Sequence, residues 1–459
     1  MRVVEACSPK HKEVTVRVKN TTPHAFMKVR ADCGSLTSRA GTALLVGVAD
    51  RIGLTGALVE ALSDLRGRRG RHRPGGVARD LAVMLADGGD ALCDLGALRD
   101  QEVLFGPVAS DATAWRLIAA LDEERLAKVR EARATARRRV WELAEPPKRM
   151  ILDIDATLVT AHSEKEGAAG TYKRGFGFHP LLCFEATSGE ALAGVLRPGN
   201  AGSNTASDHI EVLTRALLQL PAGAVNPGTL VRADSGGATH ALIDAVVGAG
   251  LCFSVGFDLT EPVRRAILSV PESAWVPALG AEGGPRDGAW VSELTLDLEA
   301  AGWPRGTRAL CRRERPHPGA QLSFSDAQGY RFQVFITNQR GRRIARLEQV
   351  HRSRAAVEDS IRCAKASGLR NLPFRAFAHN AAWLELVLLG YDLVAWTKAL
   401  LLDGELARCE PKRLRYRLFH VAGRIVSHAR RITLRLPRSW PWADALLRAF
   451  ARLQALPAG

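Results

Sequence analysis

Residues 149–160 place two carboxylates, Asp153 and Asp155, among the apolar side chains Ile151, Leu152, Ile154, Leu158 and Val159. Such a stretch predicts a short, mostly buried strand, whose two-residue period turns both carboxylates to one face. Two like charges there repel, and they are costly to desolvate unless a cation or a proton sits between them. The plainer alternative is that one Asp caps the following turn and the other meets an arginine. Two more carboxylates stand in telling places: Asp234 ends an expected strand at 229–236, and Glu358 lies inside an expected helix. Asp155, Asp234 and Glu358 brought together would suit two divalent cations about 3.5–4 Å apart, which assist the attacking and leaving oxygens of a phosphoryl transfer. Carboxylate oxygens favour hard cations, Mg2+ with Mn2+ as a substitute. On the same helix, Arg354 and Lys365 stand four residues before and seven after Glu358, so they share its face and can meet a phosphate.

These groups need elements to position them. Behind the first strand, the polar stretch 163–175 carries Lys165, Lys173 and Arg174. Strands at 179–185 and 190–196, joined through 187–189, predict a hairpin that extends a meander from the first strand. A helix at 208–220, the strand at 229–236, a helix at 240–249 and a strand at 251–255 then complete an α/β unit with a mixed sheet. From 258 to 341 the periodicity weakens, and Trp275, Trp290, Trp303, Phe324, Tyr330, Phe332 and Phe335 are spaced along the chain. That pattern predicts a β-rich insertion with strands at 289–298, 321–325 and 330–337. Helical periodicity returns at 352–367 and again at 374–399, the latter apolar enough to be a core helix.

Ahead of this unit, residues 36–146 read as helices at 43–52, 55–65, 77–86, 92–98, 112–120 and 122–144, a bundle suited to DNA. Pro146-Pro147 marks its end. The expected division is 1–35 as a strand or flexible segment, 36–146 as a helical DNA-binding domain and 147–257 with 342–405 as the catalytic domain. The insertion at 258–341 interrupts that domain, and a basic region at 406–459 follows it.

The chain has 64 Lys plus Arg against 48 Asp plus Glu, a formal +16 that favours a polyanionic partner, nucleic acid before membrane. The expected phosphate contacts are Arg68, Arg69, Arg71 and Arg73 in a basic loop, and Arg340, Arg342 and Arg343 after the insertion. In the tail they are Lys412, Arg413, Arg415, Arg417, Arg430 and Arg431. Residues 411–438 hold nine Lys or Arg and no Asp or Glu. The alternation of Arg413, Arg415 and Arg417 predicts neighbours on one strand face; the alternative is ion pairing inside the protein. None of the eight cysteines stands in a CxxC pair, which fits free thiols in a reducing cytosol. No apolar leader and no uninterrupted apolar run of membrane-spanning length is present, so neither export nor a membrane is expected.

Taken together, the motifs resemble those of the bacterial insertion-sequence transposases of the DDE type. Asp155 with Thr157 matches the group's Asp-x-Thr, and Val231-Arg-Ala-Asp-Ser-Gly236 matches the strand that ends in its second Asp. His351, Arg354, Glu358 and Lys365 follow the spacing of its Tyr-Arg-Glu-Lys helix signature, with His351 in the place of Tyr. The phrases Leu196-Arg-Pro-Gly-Asn200 and Phe335-Ile-Thr-Asn338 are further landmarks. The resemblance implies an RNase H-like catalytic domain with a β-rich insertion and a site in which Asp155, Asp234 and Glu358 hold two Mg2+ ions. Asp153, Thr157, His351, Arg354 and Lys365 would support that site. It also implies cut-and-paste transposition on double-stranded DNA, at terminal inverted repeats and then at target DNA, by a homodimer in the DNA complex. The place would be the bacterial cytoplasm, on the nucleoid when DNA is bound.

Two alternatives stand beside this. One is a transposase-derived DNA-binding protein without chemistry. The other is a phosphatase of the haloacid-dehalogenase type, with Asp153 as nucleophile and Asp155 as acid. Against the second, Asp234 is followed by Ser-Gly-Gly, with no further carboxylate until Asp244.

Overall fold

Apolar runs buried on both faces make the centre of the molecule. In the computed structural model these are five strands: β1 (Ile151–Ala156), β2 (Leu181–Glu185), β3 (Ala191–Val195), β4 (Leu230–Ala233) and β5 (Cys252–Phe257). β1 pairs antiparallel with β2, and β2 with β3, while β4 lies parallel to β1 on its other edge and β5 parallel to β4. The order across the sheet is β3-β2-β1-β4-β5. This is a mixed RNase H-like sheet behind a helical N-terminal region. The structure describes residues 13–17, 26–30, 34–66, 71–316, 319, 326–327, 329–429 and 431–458. The expected strand at 321–325, most of the segment 1–35, and Arg68, Arg69 and Arg430 lie outside the described residues.

The insertion strands do not stand apart. β6 (Val276–Leu279), β7 (Pro285–Leu294), β8 (Arg308–Glu314) and β9 (Tyr330–Thr337) continue the same sheet, with β9 antiparallel to β5 and β8, β7 and β6 following in turn. β8 was not foreseen, because its buried Ala309, Leu310 and Cys311 are followed by the charged Arg312, Arg313 and Glu314. The spaced aromatics enclose Arg313: its guanidinium lies 4.5 Å from the Trp275 ring, 5.1 Å from Trp290 and 4.9 Å from Tyr330, and it pairs with Glu272 at 2.7 Å.

Helices cover both faces. α3 (Ala206–Leu218) and α4 (His240–Gly248) lie on one side, against a core that includes Leu152, Ile154, Val231 and Phe253. On the other side α7 (Phe377–Leu401) packs on β3 and on α1 (Pro74–Ala86). α7 is apolar nearly all round, as a helix buried on every side must be. Gly390 lets α1 come close, since a Cβ there would sit 2.6 Å from the Ala82 carbonyl oxygen. The N-terminal helices and α7 therefore share one continuous core.

A buried ionic network ties α2 (Glu123–Leu143) to β3 and α7. Arg133 donates to Asp392 at 2.7 Å, Arg137 pairs with Asp392 and with Glu190 at 2.9 Å, and Trp141 and Trp396 both donate to Glu190.

The tail differs from the expected strand face. Arg413, Arg415 and Arg417 lie in the helical turn Pro411–Leu414 and the wider turn Arg415–Phe419 that follows it. Apolar spacing decides this: Leu414, Leu418 and Phe419 are buried together on one side. Beyond it, Gly423–His428 and Arg431–Arg435 form a hairpin that takes Leu36–Thr37 as a third strand. Among the described residues no single helix is long and apolar enough to cross a membrane.

Candidate active site

Asp155 and Asp234 meet because their strands are parallel neighbours. Arg232 stands opposite Asp153 in that register, and two residues further along the same faces come Asp234 and Asp155. Asp234 leaves the end of β4 exposed, where its Oδ1 accepts from Gly236 N at 3.1 Å. The glycines after it are needed for close approach. A Cβ on Gly236 would lie 2.9 Å from the Ser203 carbonyl oxygen, and one on Gly256 of β5 would lie 2.8 Å from Ser235 N. Glu358, also exposed, stands in the first turn of α6 (Ala356–Ala364), after α5 (Ile344–Arg352) and a single tight turn. The expected helix at 352–367 thus begins earlier and is interrupted; it ends in a kink with Gly368 at φ +106°.

The electrostatics join the three groups. Burial pushes the Asp155 carboxyl up to about 6; Arg354 pulls it back, and the charges of Asp234 and Glu358 push it further up. Arg354 Nη1 lies 3.6 Å from Asp155 Oδ2, and that nitrogen is buried with no hydrogen-bond partner. Asp234 and Glu358 line one cavity of about 640 Å3 with Phe257, His351 and Arg354. Among the described residues no set of three His, Cys, Asp or Glu closes to metal-binding distance. The donor set nonetheless fits hard divalent cations: it is all carboxylate oxygen, and a cation would compensate the Asp155 charge that burial and the two neighbouring carboxylates disfavour.

Asp153 meets an arginine, as the plainer alternative had it, and bears on the site only through that partner. Its two oxygens accept from Arg232 Nε at 2.6 Å and Nη2 at 2.7 Å, and both side chains are almost wholly buried. The remaining nitrogen of Arg232, Nη1, donates to Ser353 Oγ at 2.6 Å and to the Val350 carbonyl. One guanidinium therefore bonds, beneath the three carboxylates, to the strand of Asp155 and to the chain just ahead of Glu358, from within the strand of Asp234. Arg232 stands inside the second-Asp motif, yet the motif alone assigns it no role; an Arg within an apolar run, two residues before a strand-end Asp, was the available signal. A buried, doubly bonded Asp153 is also the wrong environment for a phosphatase nucleophile.

His351 lies flat on Phe335, ring centroids 4.2 Å apart, with Nδ1 2.9 Å from Ser254 Oγ. Burial, with Arg354 and Arg232 nearby, holds its pKa down to about 3, so it is neutral. Lys365 donates to the Leu158 carbonyl at 2.8 Å, and Thr157 N donates to the Pro180 carbonyl at 3.0 Å.

Of the expected phosphate contacts, Arg71, Arg73, Arg340, Arg342, Arg343, Lys412, Arg413 and Arg431 are exposed. Arg415 instead turns inward and donates to the carbonyls of Ala86 and Ala366. Arg417 pairs with Glu405 at 2.8 Å and lies over the Trp442 ring. For Arg417 the alternative of ion pairing inside the protein describes what is observed, whereas Arg415 is held by backbone carbonyls rather than by an acidic group.

A model of the transposase DDE domain group 1 family matches residues 20–458. The chain belongs to that family. No curated protein matches this DDE chain. Among solved structures it is similar to the piggyBac transposase in the cryo-EM structure of its synaptic complex with hairpin DNA. That likeness covers 82% of this chain and 79% of that one, at 10% identity and a TM-score of 0.43.

Proposed function

We propose that the chain is the transposase of an insertion sequence, cutting DNA at the terminal inverted repeats and joining the freed 3′-OH ends to target DNA. One observation carries this: Asp155 and Asp234 end adjacent parallel strands, Glu358 stands near them on a helix, and burial, together with the charges of the other two carboxylates, raises Asp155. Asp155, Asp234 and Glu358 would hold two Mg2+ ions, which when bound polarise the phosphodiester and ease deprotonation of the attacking oxygen.

The chain's own residues orient and neutralise. Arg354, beside Asp155 with an unpartnered buried nitrogen, supplies a donor for a non-bridging phosphate oxygen. Lys365, on the same helical run, offers a second cation. Arg232 holds the three carboxylate-bearing elements in register. His351, neutral, can donate only from the nitrogen that its tautomer protonates. Exposed cations at 71–73, 340–343, 412–413 and 431 give the duplex its non-specific affinity.

The test is excision from a plasmid carrying the gene's own flanking repeats. Cleavage at the repeat boundary with Mg2+ or Mn2+, abolished by chelation, is expected. Binding to those ends without cleavage under any divalent cation would favour the DNA-binding protein without chemistry.

A further inference from the structure

Behind the first catalytic strand the chain rises into a small three-stranded sheet of Val159–Thr160, Phe176–Phe178 and Ala169–Gly170, with Phe176–Phe178 in the middle. Its base is fixed by close backbone approach. A Cβ on Gly177 would lie 2.0 Å from the Val159 carbonyl oxygen, and one on Gly199 would lie 2.2 Å from that of Gly177. Phe178 is fully buried beside Phe377. The tip closes on itself, with Thr171 N donating to the Gly175 carbonyl at 2.8 Å and Gly175 N to Thr171 Oγ1 at 3.2 Å.

What this turn presents is unusual for a surface loop. Tyr172 is 70% exposed and Phe176 39%, and between them Lys173 and Arg174 are exposed too. Among the described residues neither cation meets a carboxylate. The tip also reaches toward the site through His179, which precedes β2 and so stands at the end of β1 that carries Asp155. The Tyr172 ring is 5.6 Å from that of His179, which feels the charge of Asp234. Lys173 lies close enough to Lys365 to depress its pKa, after burial. The Lys173 ammonium lies 5.6 Å from the Tyr172 ring centroid, and that of Lys365 donates to the Leu158 carbonyl at the foot of the same small sheet, so the two cations flank the ring from the side of the site. Exposed aromatics interleaved with cations are the pattern by which proteins hold single strands, the rings stacking bases and the cations tracking phosphates.

We propose that this hairpin tip is a stacking platform for an unpaired nucleotide beside the phosphodiester being cut. Tyr172 stacks on the base, and Lys173 and Lys365 hold the neighbouring phosphate. The proposal rests on the DNA-cutting reading of the site and adds to it a single-stranded ligand. Stacking tolerates any base, so the site would act wherever a DNA end frays or is pulled open.

The experiment uses the full chain in Ca2+, a short oligothymidylate carrying one 2-aminopurine, and a blunt duplex of equal length. Wild type and Tyr172→Phe should quench the 2-aminopurine on binding. Tyr172→Ala should lose the quench and bind the single strand about 5- to 150-fold more weakly, the range to which stacking energies convert, while duplex affinity and melting temperature hold. Lys173→Gln should lower the salt slope of single-strand binding by about 0.7. If wild type shows no quench, or if Tyr172→Ala retains single-strand affinity or weakens duplex binding equally, the platform is refuted. Asp155→Asn separates the two claims: normal cleavage by that variant defeats the carboxylate site, whereas the Tyr172 results alone decide the platform.

Discussion

Replacing Arg232 by Met would remove the cation bonded beneath the three carboxylates. Side-chain exposure is 1% for Arg232 and 2% for Asp153, so water does not screen the pair. Breaking such a pair by deleting one partner costs about 3–5 kcal/mol, because the other charge stays buried and uncompensated. At about 2–4 °C per kcal/mol for a domain of 150–250 residues, the melting temperature should fall by roughly 6–20 °C. The double variant Arg232→Met with Asp153→Leu leaves no stranded charge and should regain most of that stability. Cleavage should stay low in the double variant, since nothing then ties Ser353 and Val350 to the two strands, and a misplacement of about 1 Å can cost about 100-fold in rate. Arg232→Lys should rescue only in part, because an ammonium cannot reproduce the fork that spans all three elements. Calorimetry and end cleavage on the same preparations check both halves. A single variant that melts within about 1 °C of wild type, or a double variant that cleaves normally, would refute the shared-anchor reasoning.

Asp155 gives a pH signature with a definite sign. Its folded pKa of about 6 lies above the ordinary 3.8, so ionising it in the native state costs roughly 3 kcal/mol. That cost is absent below about pH 4 and complete above about pH 7. Asp155→Asn should therefore raise the melting temperature near pH 8 and leave it unchanged near pH 4, and Mg2+ should raise wild type near pH 8 by compensating the charge that burial and the neighbouring carboxylates disfavour. In the tail, neutralising Lys412, Arg413 and Arg431 together should flatten the salt dependence of DNA binding with the fold intact, by about 0.9 for each phosphate left without its cation. Arg415→Ala should do the reverse, lowering the melting temperature by leaving the Ala86 and Ala366 carbonyls without their donor while sparing the salt slope.

The central sheet was legible in the sequence because its strands are apolar runs bounded by turn residues, and the two aspartates end two of them. Glu358 drew notice by its spacing from Arg354 and Lys365, and the structure places it on the cavity that Asp234 lines. Three things were not. β8 hid because Arg312 and Arg313 break its apolar run, and their partners Glu348 and Glu272 are distant in sequence. The tail alternation of arginines suggested a strand, whereas burial of Leu414, Leu418 and Phe419 made it helical. Asp153 looked like a companion of Asp155, and only the register between parallel strands reveals Arg232 opposite it. Local period can be read from one segment; partners across a sheet cannot.

The most direct test of the carboxylate site is to make Asp155→Asn, Asp234→Asn and Glu358→Gln separately. Each is assayed for cleavage of repeat-end DNA in Mg2+ and for binding to the same DNA in Ca2+. The expected result is that each variant loses cleavage almost completely and binds as wild type does. Near-normal cleavage by any one of the three would remove that residue from the site, and normal cleavage by Asp155→Asn together with an inactive Asp153→Asn would place the chemistry on the other aspartate of β1.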